Sequence, residues 1–169
     1  MMVYTDIFKQ SDNQAQILDQ AVQSTTDPWA QNRYIGFLSV TAVTFFEEAF
    51  KDILFEFAKK KHPVFGTHVK EQYSRLNGRI ALNEIRTNHI KKFGSKYSDR
   101  FKKILNEAEQ KSLKEGSGSI KTSYGNILTW RNNFVHGGAI SNTATYSEAR
   151  DNYELGKAVF HCLNRALYR

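Results

Sequence analysis

Cysteine is nearly absent. The single Cys162 in 169 residues has no partner for an internal disulfide, so nothing points to an oxidising compartment or a disulfide-stapled scaffold. Proline is almost as scarce, with 2 in the chain, and both punctuate what reads as helix. No stretch of about 18 uncharged apolar residues occurs, so no membrane-spanning helix is expected. The opening residues Met1-Met2-Val3-Tyr4-Thr5-Asp6 have neither the basic nor the apolar region of a signal peptide, and a cytoplasmic location is the expectation. Several chemistries fail on spacing. Gly116 to Thr122 ends in Lys-Thr, but Ile120 occupies the position where a phosphate-binding loop needs glycine. There is no Gly-x-Ser-x-Gly elbow. The lone Cys162 and the scattered His62, His68, His89 and His161 contain no His-x-x-x-His pair, so neither a metal centre nor a cofactor is expected.

What is present is ordinary globular chemistry on a short chain. With 40% hydrophobic, 13% aromatic and 24% charged residues, wholesale disorder is excluded, and the length suits one domain spanning 1–169. The net charge of +7 is unevenly spread: residues 59–121 hold 16 Lys+Arg against 6 Asp+Glu, a local +10 that leaves −3 for the rest. The cations of this segment are interleaved with Tyr73, Phe93, Tyr97 and Phe101. Such residues can neutralise phosphates and stack on unpaired bases. Equally, they can be the wet and buried faces of amphipathic helices.

The apolar periodicity reads as helix nearly throughout. A first helix is expected over about 5–24, and Asp27-Pro28 caps and opens a second that runs to Lys61, where His62-Pro63 stops it. Apolar residues cover well over half of that second helix, which makes it the expected core element. After a link at Val64 to Thr67, a basic helix or helix pair is expected to reach Phe93, with a break at Asn77-Gly78 and a stop at Gly94. Ser98-Asp99 would cap a further helix to Lys114, and Gly116-Ser117-Gly118-Ser119 reads as a short connection. A helix from Ser123 to His136 ends at Gly137-Gly138, and the capping-box pattern Thr145-Tyr146-Ser147-Glu148 opens a last helix. There is no internal repeat and no strand pair. The expected fold is an all-α bundle of about five to seven helices with two long antiparallel helices near the front.

The informative stretch is Tyr124 to Gly138. Tyr124, Ile127, Leu128, Phe134 and Val135 make an apolar stripe on a helical wheel, and Arg131 falls near its middle. An arginine there needs its planar fork satisfied, by a structural ion pair or by an anion in a cleft or interface. Asn132 and His136 are four apart, hence neighbours on the adjoining face, with Gly137-Gly138 leaving room at the helix end. Histidine is the side chain whose ordinary pKa suits proton transfer near neutrality, although at this place it can simply be a helix C-terminal cation. A second anomaly is Glu47, which lies on the apolar line Val40, Val43, Phe50, Leu54 of the core helix, whereas Glu48 shares the polar face. Glu47 is thus a candidate buried partner for Arg131.

Arg131-Asn132-x-x-x-His136-Gly137-Gly138 resembles the R-x(4-6)-H signature of the HEPN superfamily, helical bundles that carry it on a late helix. The layout is similar to the RiboL-PSP-type members: an early helix with Phe45-Phe46-Glu47-Glu48-Ala49-Phe50, a middle section with Lys91-Lys92-Phe93-Gly94, the motif, and a final helix. The resemblance covers roughly Tyr34 to Leu167. It implies metal-independent endoribonuclease activity in a homodimer with the active site at the subunit interface, leaving a 2′,3′-cyclic phosphate and a 5′-hydroxyl. It also implies a toxin or antiphage role, with an inhibitory partner protein. Arg131, Asn132, His136 and Glu47 are the catalytic candidates, and Lys91, Lys92, Lys96, Arg100, Lys102 and Lys103 the RNA-binding ones. A non-catalytic RNA-binding or interaction module is the alternative. One position departs from members paired with a nucleotidyltransferase: they often carry Tyr two residues after the His, and Gly138 occupies that place here.

Overall fold

The computed structural model describes residues 3–76, 78–138 and 144–168; the readings placed on Met1, Met2 and Asn77 lie outside them. Among the described residues there is no strand, and the fold is an all-α bundle. Helix α1 (Tyr4–Gln23) turns back through a short connection into α2 (Pro28–Lys61). Asp27 caps α2 by accepting from the Trp29 amide at 3.0 Å, with Pro28 behind it, the arrangement that proline at the first helical position favours.

Helix α2 is buried along most of its length because four helices meet on one of its side chains. The Phe46 ring lies 6.2 Å from Phe8 of α1, 5.6 Å from Tyr124 of α6 (Ile120–Gly137), 6.0 Å from Tyr153 of α7 (Tyr146–Gly156) and 5.1 Å from Phe160 of α8 (Ala158–Tyr168). All five rings are buried. Truncating one such ring in a packed core costs about 3–5 kcal/mol. Polar bonds then tie α1 to α7: Asp12 accepts from Tyr153 at 2.6 Å and Asp19 from Tyr146 at 2.8 Å.

The middle of the chain departs from the expected pattern. The link expected at Val64 to Thr67 is helical: α3 (Pro63–Gln72) starts at once, capped by His62, whose ring nitrogen accepts from the Val64 amide. The helix expected to reach Phe93 is instead a short α4 (Leu82–Glu84) running into a π turn (Ile85–His89) and a 3-10 turn (Ile90–Phe93). Tertiary contacts override the helical period there. His89 is buried against the rings of Phe50 and Tyr73 at 5.2 and 5.4 Å, and its Nε2 is bonded to the Arg79 carbonyl at 2.8 Å. Gly94, at φ +129, ends the segment as expected. Helix α5 (Ser95–Lys114) starts three residues before Ser98, which is buried and donates to the Arg86 carbonyl instead of capping. The expected last helix is two, α7 and α8, parted at Gly156 and Lys157; Thr145 caps α7 by accepting from the Glu148 amide at 3.1 Å.

Candidate functional site

Helix α6 carries the site and is positioned at both ends. At its start Ser119 accepts from the Thr122 amide, while Glu109 of α5 accepts from the Ser119 hydroxyl at 2.6 Å and the Lys121 amide at 3.1 Å. A carboxylate there satisfies otherwise unpaired amides and meets the positive end of the helix dipole. At the other end the Phe134 ring lies on the bare backbone of Gly36, where any Cβ would overlap it, and makes an edge contact with Phe37 at 5.2 Å. Helix α6 therefore runs antiparallel to α2, with His136 at the α2 N-terminal end.

The buried face of α6 is Ile120, Ser123, Tyr124, Ile127 and Trp130. This shifts the stripe read from the sequence by part of a turn: Trp130 belongs to it, and Val135 is exposed. Arg131 consequently sits on the flank, half-buried, with Asn132 and His136 exposed beside it. Its guanidinium donates to the Asn132 side-chain oxygen at 3.0 Å.

The two residues line a cleft of about 440 Å3 between α2, α6 and the segment before α4, with Val43, Gly78, Leu82, Glu84 and Tyr124 among its walls. Ligand sites commonly fall between about 300 and 1,000 Å3. The outer wall is tied down by two successive carbonyls: His89 holds that of Arg79, and the buried Tyr124 hydroxyl donates to that of Ile80 at 2.6 Å. Burial, with Glu47 and Glu84 nearby, raises the Tyr124 pKa well above its ordinary value, so the hydroxyl stays a donor. Gly78 lies in the left-handed region at φ +77, and a Cβ there would stand 3.7 Å from Arg131 Nη1 and 3.8 Å from Glu47 Oε1.

Glu47 and Arg131 thus flank the same glycine. They form no ion pair within 4.0 Å, and Glu47 is half-buried. His136 is one turn beyond Asn132 and outside the cleft lining. Among the described residues no three His, Cys, Asp or Glu side chains are grouped to hold a metal ion.

A family model described as RiboL-PSP-HEPN matches residues 5–169. The chain belongs to the RiboL-PSP-HEPN family. No curated protein and no solved structure matches the chain. Among the described residues of this HEPN domain, no helix is long and apolar enough to cross a membrane.

The basic candidates of the HEPN domain divide by environment. Lys91, Lys92, Lys96, Lys102 and Lys103 are exposed. Arg100 is half-buried and donates to the Ala166 carbonyl at 3.2 Å, closing the end of α8. Tyr73 and Phe101 are core residues, whereas Phe93 and Tyr97 are partly exposed. Sequence reasoning missed Glu84, Gly78 and the supporting Glu109. Glu84 and Glu109 are carboxylates inside a strongly basic segment, and that contrast is the signal that could have flagged them.

Proposed function

We propose that this HEPN domain is an endoribonuclease acting as a homodimer, with the Arg131 to His136 segments of two copies facing each other across the interface. The ribose 2′-hydroxyl attacks the adjacent phosphorus, the bond to the 5′-oxygen breaks, and the products are a 2′,3′-cyclic phosphate and a 5′-hydroxyl. No metal takes part. His136 takes the proton from the 2′-hydroxyl or gives one to the leaving oxygen. Arg131 stabilises the charge that builds on the non-bridging oxygens, and the Asn132 amide orients the phosphate or the imidazole. Glu47, across Gly78, biases the guanidinium.

One observation carries this reading: Arg131 is bonded to Asn132 at the rim of an open cleft, without an ion pair to any described acid. Its cationic head is available to an anion. The dimer is supported by exposed apolar side chains at the same end, Trp29 at 63%, Phe37 at 44% and Val135 at 51%. The exposed lysines of residues 91–103 would engage RNA phosphates. A restrained enzyme of this kind fits a toxin or antiphage effector held by an inhibitory partner.

The purified protein is expected to cut single-stranded RNA in EDTA, and its production in growing cells to arrest growth. His136→Ala and Arg131→Ala should each lower cleavage at least about 100-fold with an unchanged circular dichroism spectrum. Full activity in His136→Ala would overturn the assignment. The alternative, RNA binding without cleavage, is favoured by the position of His136 outside the cleft lining; intact RNA after incubation with protein that binds it would select that reading.

A further inference from the structure

Two runs of lysine that are about thirty residues apart in sequence come together at one end of the bundle. The hub is Phe57, near the end of α2. Its ring lies 5.8 Å from Phe93, 5.1 Å from Tyr97 and 5.9 Å from Tyr168. Phe57 is buried, and the other three rings are partly exposed. Ammonium groups cover this cluster: Lys60 is 4.4 Å from the Tyr168 ring, Lys61 5.3 Å from Phe57 and Lys96 4.9 Å from Tyr97. Lys59, Lys91 and Lys92 are exposed close by in sequence. Against these cations only Glu56, 3.9 Å from Lys59, forms an ion pair among the described residues.

This end is remote from the cleft. Glu47 marks the cleft on α2, and Gly36 marks where the end of α6 docks. At 1.5 Å rise per residue, Lys60 is about 20 Å along α2 from Glu47, and Lys61 about 37 Å from Gly36.

We propose that the Phe57 end is a second, non-catalytic docking site for the RNA strand, so that the preferred substrate is single-stranded RNA long enough to bridge both sites. The proposal rests on RNA being the ligand of this domain. Lysines that outnumber the neighbouring Asp52 and Glu56 supply charge complementarity to phosphates, and a lysine swinging from a tyrosine face onto a phosphate frees that face for a base. At about 3.4 Å per stacked nucleotide, the bridge needs about six to eleven nucleotides.

The test measures RNA binding by fluorescence anisotropy in the His136→Ala protein, where the RNA stays intact. It compares the parent with a Lys59→Ser/Lys60→Ser/Lys61→Ser variant, on RNAs of about four and about twenty nucleotides. The variant should bind the longer RNA at least about tenfold more weakly, with its salt slope reduced by about two. Affinity for the shorter RNA should not change, and a triple Lys→Arg variant should bind like the parent. Equal losses on both RNAs, or no loss on the longer one, would overturn the proposal. Length-dependent binding here, together with no cleavage by the protein that retains His136, would uphold this site while removing the ribonuclease reading.

Discussion

Three polar heads within six positions of α6 carry the proposed chemistry, and conservative changes separate their roles. Arg131→Lys keeps the positive charge but loses the planar fork that holds Asn132 and that, in the proposed reaction, would also hold phosphate oxygens. Cleavage should fall about tenfold or more, mostly in kcat, while RNA binding changes little. A variant as active as the parent would mean that only charge is required. At another residue, Asp52, burial pushes the carboxyl up to about 6, with Glu56 adding repulsion and the Tyr4 backbone bond opposing both. A raised folded-state pKa means that ionisation costs stability, so the cost is absent below about pH 4 and complete above about pH 6. For a half-exposed group, solvent screening leaves a cost of about 1 kcal/mol. Asp52→Asn is therefore expected to raise stability by about 1 kcal/mol at pH 7, with the gain gone at pH 4 in parallel urea melts.

At the scale of elements, the placement of the site depends on how α6 is held. Glu109 fixes its start, Tyr124 pins the outer wall of the cleft, and Phe134 on Gly36 fixes the end that carries His136. Gly36→Ala makes α2 a better helix by roughly 1 kcal/mol, yet its methyl overlaps the Phe134 ring, and overpacking costs about 1–3 kcal/mol. The expected outcome is a protein nearly as stable as the parent whose cleavage is reduced, because the last turn of α6 has moved. Adding Phe134→Ala should relieve the overlap and partly restore activity; unchanged cleavage in Gly36→Ala would show that this contact does not set the geometry. The segment from Gly78 to Phe93 belongs to the same scale. Its broken turns place Glu84 in the cleft wall and His89 in the core.

For the whole molecule, the exposed Trp29, Phe37 and Val135 gather where α6 ends. Burying them against a second copy removes apolar surface from water and brings two His136 side chains into one region. Light scattering at micromolar concentration should give twice the chain mass of 19.5 kDa, and Phe37→Glu should give the single mass and lose cleavage. A parent that is monomeric and active would remove the shared site. With the Phe57 end, the two proposals polarise the molecule along α2, with cutting assigned to one end and strand capture to the other.

Much of this was legible without coordinates. The all-α class follows from the 3.6-residue period and its caps; Asp27-Pro28, Gly94 and Thr145 act as their types dictate, because capping is a local interaction. Arg131 drew attention because an arginine read near the middle of an apolar stripe is chemically conspicuous; the structure puts it on the flank, bonded to Asn132, and leaves His136 outside the cleft lining. The π and 3-10 turns after α4 were not, since His89 bonds to a backbone carbonyl that its sequence does not announce. Nor could periodicity show that Glu47 and Arg131 meet only across Gly78, or that Arg100 closes α8. The sequence by itself determined which side chains bear charge and where Asp27-Pro28, Gly94 and Thr145 start or stop helices, because these depend on neighbours within about one turn. Only the tertiary structure decided which residues share the cleft and which lysine runs gather around Phe57, since packing between helices brings together Val43 and Asn132, or Phe57 and Tyr168, that are far apart in the chain.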